Sequence, residues 1–227
     1  MQKIRNLEEL QNEIDSDLAW RKKEIADFHS LCRFNNNPPC LIRACFVMVC
    51  AHFEGAIKFS SNAYIDFISG QSINGTDLKP EINAIAVRKK RHHSFAHTGV
   101  EKVKVSVVTE VLKEYDSLLN GTFCIRTSNE SEPALPTGGN PTPDVLKEMT
   151  KVLGLNYNAL FEAREKFINS ELLNPRHSIA HGGQRPITDE ALEEVANFVL
   201  SKIDAYASAI MDAATMGTHM RVNDNPA

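Results

Sequence analysis

No Cys-x-x-Cys pair occurs among the five cysteines, Cys32, Cys40, Cys45, Cys50 and Cys124. The odd number excludes a fully paired disulfide framework, and the missing pairs remove the usual ligand spacing of structural zinc. The cysteines read as reduced side chains used as small hydrophobes. No uninterrupted apolar run approaches the ~18 residues of a membrane span; the most apolar is ACFVMVCA, residues 44–51. The first twenty residues, MQKIRNLEELQNEIDSDLAW, are charged throughout, unlike a secretory signal. The expectation is a cytoplasmic chain without membrane association. No glycine-rich phosphate cradle, internal repeat or alternating strand pattern occurs either, and TGGN at 137–140 reads only as a turn.

Acidic and basic residues nearly balance, 29 against 25, and the net −4 gives no global attraction for a polyanion. The distribution of charge is uneven. Lys79 to Lys104 carries seven basic and two acidic residues, so any polyanion contact has to be local.

What is present is helical periodicity. Leu7, Leu10, Ile14, Leu18, Ile25 and Phe28 recur at helical spacings and predict an amphipathic helix over 4–33, stopped by NNNPP. A second helix is expected from Pro39 to Ser69, closed by Gly70; its first half is apolar on nearly every face and belongs at the centre of a bundle. Further helices are expected over 79–93 and 101–119. Thr142, Pro143, Asp144 and Gly154 mark the start and stop of another. One more spans 157–173, with Leu160, Phe161, Phe167, Ile168 and Leu172 on one side. The last runs from Thr188 to Met216, with acidic residues in its first turns and Leu192, Val195, Val199, Ile203 and Ile210 facing inward. The prediction is an all-α bundle of about six to seven helices in a single domain, 1–227. It carries an irregular insertion at 121–141, with a two-stranded ribbon conceivable near Phe123 to Arg126, and a frayed tail at 217–227.

Two stretches concentrate arginine and histidine: RHHSFAHTG at 91–99 and NPRHSIAHGG at 174–183. Such residues can cleave RNA. A histidine near neutral pKa can take a proton from a ribose 2′-hydroxyl or give one to the leaving 5′-oxygen, and an arginine can neutralise charge on the phosphate. Neither metal nor cofactor is then required. The bare spacing decides nothing, since it recurs at Arg88–His93, Arg91–His97 and Arg176–His181. Context favours the last, because it joins two strongly periodic helices. Asn174 and Pro175 read as the cap and first residue of a helix, which puts Arg176 and His177 near a positive end suited to anions. Gly182 and Gly183 permit close backbone approach. On a regular helix Arg176 and His181 lie about 140° apart. One histidine also cannot be both base and acid on opposite sides of a phosphate. Two copies facing each other across a symmetric dimer would meet both difficulties.

LLNPRHSIAHG resembles the signature of the HEPN superfamily of small helical domains. WRKKEI at 20–25, CAHFEGAIK at 50–58 and NPTPDVLKEMTKVLGLNY at 140–157 resemble the MAE-like HEPN branch of bacterial conflict systems, so the likeness runs from about Leu7 to Ala214. It implies an all-α homodimer with a metal-independent endoribonuclease site at its interface, acting as a toxin or defence effector with an antitoxin or defence-system partner protein. Carried over by position, Arg176 and His181 are the catalytic pair. His177 stands where asparagine is common, which adds a titratable group beside the phosphate.

Other readings stand beside these. His177 and His181 have the i, i+4 spacing of two metal ligands, but no HExxH glutamate lies between them. Arg88, Lys89, Lys90 and Arg91 are either a solvated basic loop or an RNA-binding rim. Glu54 either pairs with Lys58 on the surface or turns inward to orient Arg176 or a motif histidine. Arg43 shares its face. Trp20, Phe46, Phe53 and Phe59 read as core. The competing function is a non-catalytic dimeric module that holds RNA, a nucleotide or a protein partner in the same groove.

Overall fold

Three long helices carry the computed structural model, which describes residues 4–36, 38–90, 105–125, 133–135 and 137–221. Helix α1 spans Leu7–Phe34 and starts where Asn6 Oδ1 accepts the Glu9 N–H at 2.8 Å. Helix α2 spans Pro39–Gly70, with proline in its first turn where a missing N–H costs nothing. Helix α9 spans Asp189–Met216; Thr188 caps its start and Gly217, at φ +64, its end. Helix α2 lies against both α1 and α9, which also touch each other. Its Phe46, Val49, Phe53, Ile57 and Tyr64 are fully buried. The inward residues expected of the last helix, from Leu192 to Ile210, are buried as well.

The composition of α2 alone would pass for a membrane span, with a mean hydropathy of 1.7 over 18 residues. Half of that window is buried among the other helices, which is the setting of a core helix. Around this core sit α3 (Pro80–Lys90), α4 (Val105–Leu119), α5 (Pro143–Leu153), α6 (Tyr157–Leu160), α7 (Glu165–Phe167) and α8 (Asn174–Ala180). The described residues are 77% helical and include no strand, so the all-α prediction holds. In place of a ribbon there are isolated bridges, Asn74 with Thr122 and Leu78 with Met220. Arg126 lies outside the described residues, as do 91–104 and with them the RHHSFAHTG stretch.

Three local expectations change. The single helix over 157–173 is instead α6, a 3-10 turn at Glu162–Arg164, α7 and a π-helix at Ile168–Leu173. The chain does not leave the bundle at Gly217: Lys79 N bonds His219 O at 3.0 Å and Arg221 N bonds Asp77 O at 2.8 Å. His219 is buried with Nδ1 3.0 Å from Tyr64 Oη. Trp20 is half exposed rather than core, because its indole lies edge-on to His52 at the rim of α1 and α2 and donates to Asp17. Phe46 and Phe53 are core, and Phe59 packs against it from a partly buried position.

Candidate active site

Helix α2 turns a polar stripe toward the chain around residue 176. Arg43, Cys50 and Glu54 recur at i, i+7 and i+11, which is one helix face. Arg43 Nη2 donates to Gly183 O at 2.6 Å and holds the segment leaving the motif. The Cys50 thiol donates to Leu172 O at 3.8 Å. Burial pushes that thiol up to about 12, against a smaller opposing pull from the Arg176 charge, so Cys50 is no nucleophile near neutral pH. Glu54 points inward: Oε2 lies 3.7 Å from Arg176 Nη2, and Oε1 accepts the Thr137 hydroxyl at 2.6 Å.

The backbone around Arg176 differs from the sequence expectation. Asn174 is in ordinary helical conformation and exposed, and caps nothing. Its N–H bonds Asn169 O, five residues back, as the last turn of the π-helix. That widened turn accommodates Pro175, which has no N–H to give to a regular α-helical ladder. Helix α8 therefore continues an existing helical run rather than starting one. Arg176 and His177 are not at a free positive end; they sit in the closing turns, where the backbone presents carbonyls. Any anion held here is held by side chains, not by a helix dipole.

The two histidines stand together at that helix end. His181 is the first residue past α8, and its N–H bonds His177 O at 3.1 Å. The imidazoles are both exposed, with centroids 4.3 Å apart. Gly182 at φ +82 turns the chain. Gly183 then passes so close that a Cβ there would meet Ser178 Oγ at 2.4 Å and Ser178 O at 2.7 Å. Among the described residues no group of three or more His, Cys, Asp or Glu side chains is placed to hold a metal.

Arg176 is held by the 137–140 turn. Its Nη1 donates to Gly139 O at 3.0 Å and to Asn140 Oδ1. Residues 16–212 match the model of the RiboL-PSP-HEPN family. The chain belongs to this family. The match shows the HEPN superfamily and does not bear on the MAE-like branch within it. No curated protein and no solved structure matches the chain.

In this RiboL-PSP-HEPN domain the basic run of α3 is partly engaged within the chain. Arg88 Nη1 donates to Ala134 O at 3.0 Å, and Lys90 pairs with Glu114. Lys89 also has an intramolecular interaction, and Arg91 lies outside the described residues. Arg88 and Lys90 thus each have a partner within the chain. The exposed surface beside the motif is a different one. Ala44, Met48 and Ala51 form an exposed stripe of α2 at i, i+4 and i+7. By helical angle it lies between the face toward α1 (Cys45, His52) and the face toward α8 (Arg43, Cys50, Glu54). Trp20, Leu31 and Phe34 of α1 are exposed as well.

Sequence reasoning reached Arg176, His177, His181, Glu54 and Arg43. It missed Thr137, Gly139 and Asn140, the partners of Glu54 and Arg176. The only sequence signal was TGGN itself, a turn in an otherwise irregular insertion.

Proposed function

We propose that this RiboL-PSP-HEPN chain is a metal-independent endoribonuclease whose site is completed by a second copy. The observation that carries the reading is that a half-buried guanidinium, Arg176, and two exposed imidazoles that lie against each other share the end of one short helix. Exposed imidazoles at a helix end can reach a substrate held outside the subunit. His181 of one copy takes the 2′-hydroxyl proton as the 2′-oxygen attacks phosphorus. The P–O5′ bond breaks, and the partner's His181 protonates the departing 5′-oxygen. The products are a 2′,3′-cyclic phosphate and a 5′-hydroxyl. Arg176 neutralises charge on the non-bridging oxygens. His177 lies against His181 and fixes its ring, or supplies a second proton donor. DNA, without the 2′-hydroxyl, is inert.

The stripe of Ala44, Met48 and Ala51, small or flexible side chains beside the motif, supports docking of a second copy. A role as toxin or defence effector under an antitoxin or defence-system partner belongs to the same proposal. The test uses wild type, His181→Ala and Arg176→Ala with labelled RNA in EDTA. Cleavage by the wild type alone, leaving cyclic phosphate ends, is the expected result. RNA binding that persists in all three without cleavage would favour the non-catalytic module. Cleavage abolished by EDTA would point to a metal.

A further inference from the structure

Arg176 is received by a built turn, and the chemistry of that turn separates orienting a cation from neutralising it. The Thr137–Asn140 segment places two acceptors on one nitrogen: Gly139 O at 3.0 Å and Asn140 Oδ1 both bond Nη1. A guanidinium has five N–H donors, and Nη1 carries two of them. Both acceptors are neutral, so they fix the plane of the group and leave its charge intact. The Glu54 carboxylate is 3.7 Å from Nη2, within reach of an ion pair but beyond hydrogen-bond length. The contacts on Nη1 thereby fix the orientation of Nε and Nη2, which have the fork geometry that suits two oxygens of a phosphate; a phosphate there would compete with Glu54 for Nη2.

The turn is anchored at both ends. Thr137 is buried, and its hydroxyl donates to Glu54 Oε1 at 2.6 Å. Asn140 N bonds Thr137 O at 3.3 Å across the turn, and Thr142 N bonds Asn140 O at 2.9 Å. Thr142 in turn caps α5 at Val145 N. Gly138 and Gly139 have φ +65 and +81, the left-handed region that glycine enters without strain. A Cβ at either would meet nothing within 4 Å. Glycine is thus needed there for the path of the backbone, which points the Gly139 carbonyl at Arg176, and not for room.

We propose that the Thr137–Asn140 turn is a positioning element for Arg176, with Asn140 the side chain that sets the guanidinium plane for a substrate phosphate. The role of the phosphate rests on the nuclease reading; the fixing of Arg176 does not. Two measurements keep them apart. In the first, side-chain 15N NMR of the guanidinium follows rotation about Cζ–Nη in the full-length chain. Wild type should give resolved, slowly exchanging Arg176 Nη signals, and Asn140→Leu, similar in shape but without the acceptor, should lose them. In the second, a 5′-labelled single-stranded oligoribonucleotide is cleaved by wild type, Asn140→Leu and Asn140→Asp. Asn140→Leu should lower kcat on the order of 10- to 100-fold with KM nearly unchanged, as for a misaligned catalytic group. Asn140→Asp keeps the acceptor but sets a carboxylate against the Arg176 charge, so the resolved Nη signals should persist while kcat stays below wild type. A purely structural role would not give this split. An unchanged kcat in Asn140→Leu overturns the proposal. A raised kcat also overturns it, since the turn would then be a stop on Arg176. If wild type cleaves no RNA, the nuclease reading falls, and NMR alone decides: resolved signals lost in Asn140→Leu uphold the positioning, and signals already averaged in wild type overturn it.

Discussion

Arg88 and Arg176 make the same contact in different surroundings. Each gives an Nη1 hydrogen bond to a backbone carbonyl of the 133–140 segment, Ala134 O for one and Gly139 O for the other, both at 3.0 Å. Arg88 stands at the end of α3 beside a cavity of about 320 Å³ lined by apolar side chains such as Ile85, Leu135, Val145 and Met149. Burial there draws its pKa below the usual arginine range. Arg176 has a second acceptor on the same nitrogen and a carboxylate near Nη2, and two exposed imidazoles follow it in the chain at 177 and 181. An arginine holding a loop carbonyl is therefore not yet a site. What makes Arg176 the candidate is the titratable groups near it and the exposure of the two imidazoles.

The largest effect expected from breaking this comparison is chemical. His181→Ala should lower cleavage about 10²- to 10⁴-fold, the range of a lost general acid or base. Arg88→Ala should leave kcat within about twofold, since no proton donor or acceptor depends on it. Comparable losses in both would erase the distinction, and single-turnover rates measure it. Next comes the surface. Met48→Glu places a charge on the exposed α2 stripe without disturbing the core. It should convert a dimer to a monomer in sedimentation and reduce cleavage by on the order of 100-fold, because like charges would face each other across a two-fold axis. A monomer with full activity would contradict the composite site.

Smaller effects concern stability. Arg88→Ala should cost about 1 kcal/mol, the worth of one hydrogen bond to the loop, read as a shift in the urea midpoint. An unchanged midpoint would show that the bond to Ala134 adds nothing to the stability of the fold. The pH dependence is gentler still. Burial holds His52 and His219 below the ordinary histidine pKa of 6.5, with the Lys79 charge adding to the effect at His219. A histidine depressed in the fold is neutral there and protonates sooner when unfolded. Its contribution is complete above pH 6.5 and is lost as pH falls through the folded pKa. Thermal stability should be flat from pH 8 to 7 and decline below 6.5. A rise on acidification would show that these burials do not control stability.

Much of the fold was readable because capping chemistry is local. Thr142, Pro143 and Gly154 bound α5, and Thr188 starts α9, as their residue types require. The break between 157 and 173 was not readable, because Leu160, Phe161, Phe167, Ile168 and Leu172 keep helical spacing through it. Pro175 misled for a related reason. Proline usually opens a helix, and here a π-turn, invisible to periodicity, precedes it in a helical run that continues through it. At the site, Arg176 and His181 were legible as a spacing and Glu54 as a carboxylate in an apolar helix. Asn140 was not, being 36 residues from Arg176 and joined to it only by the folded turn. Trp20 showed the limit of composition: a large aromatic on an amphipathic helix reads as core, yet here it lies over polar neighbours at the surface.

The central claim is that one reaction needs His181 from two copies. It is tested most directly by mixing wild type with His181→Ala at constant total protein, allowing subunits to exchange, and measuring the RNA cleavage rate. Mixed dimers would lack either the base or the acid, so the rate should follow the square of the wild-type fraction, about one quarter at an equal mixture. A rate proportional to the wild-type fraction, about one half at that point, would mean that each subunit acts alone and would contradict the account.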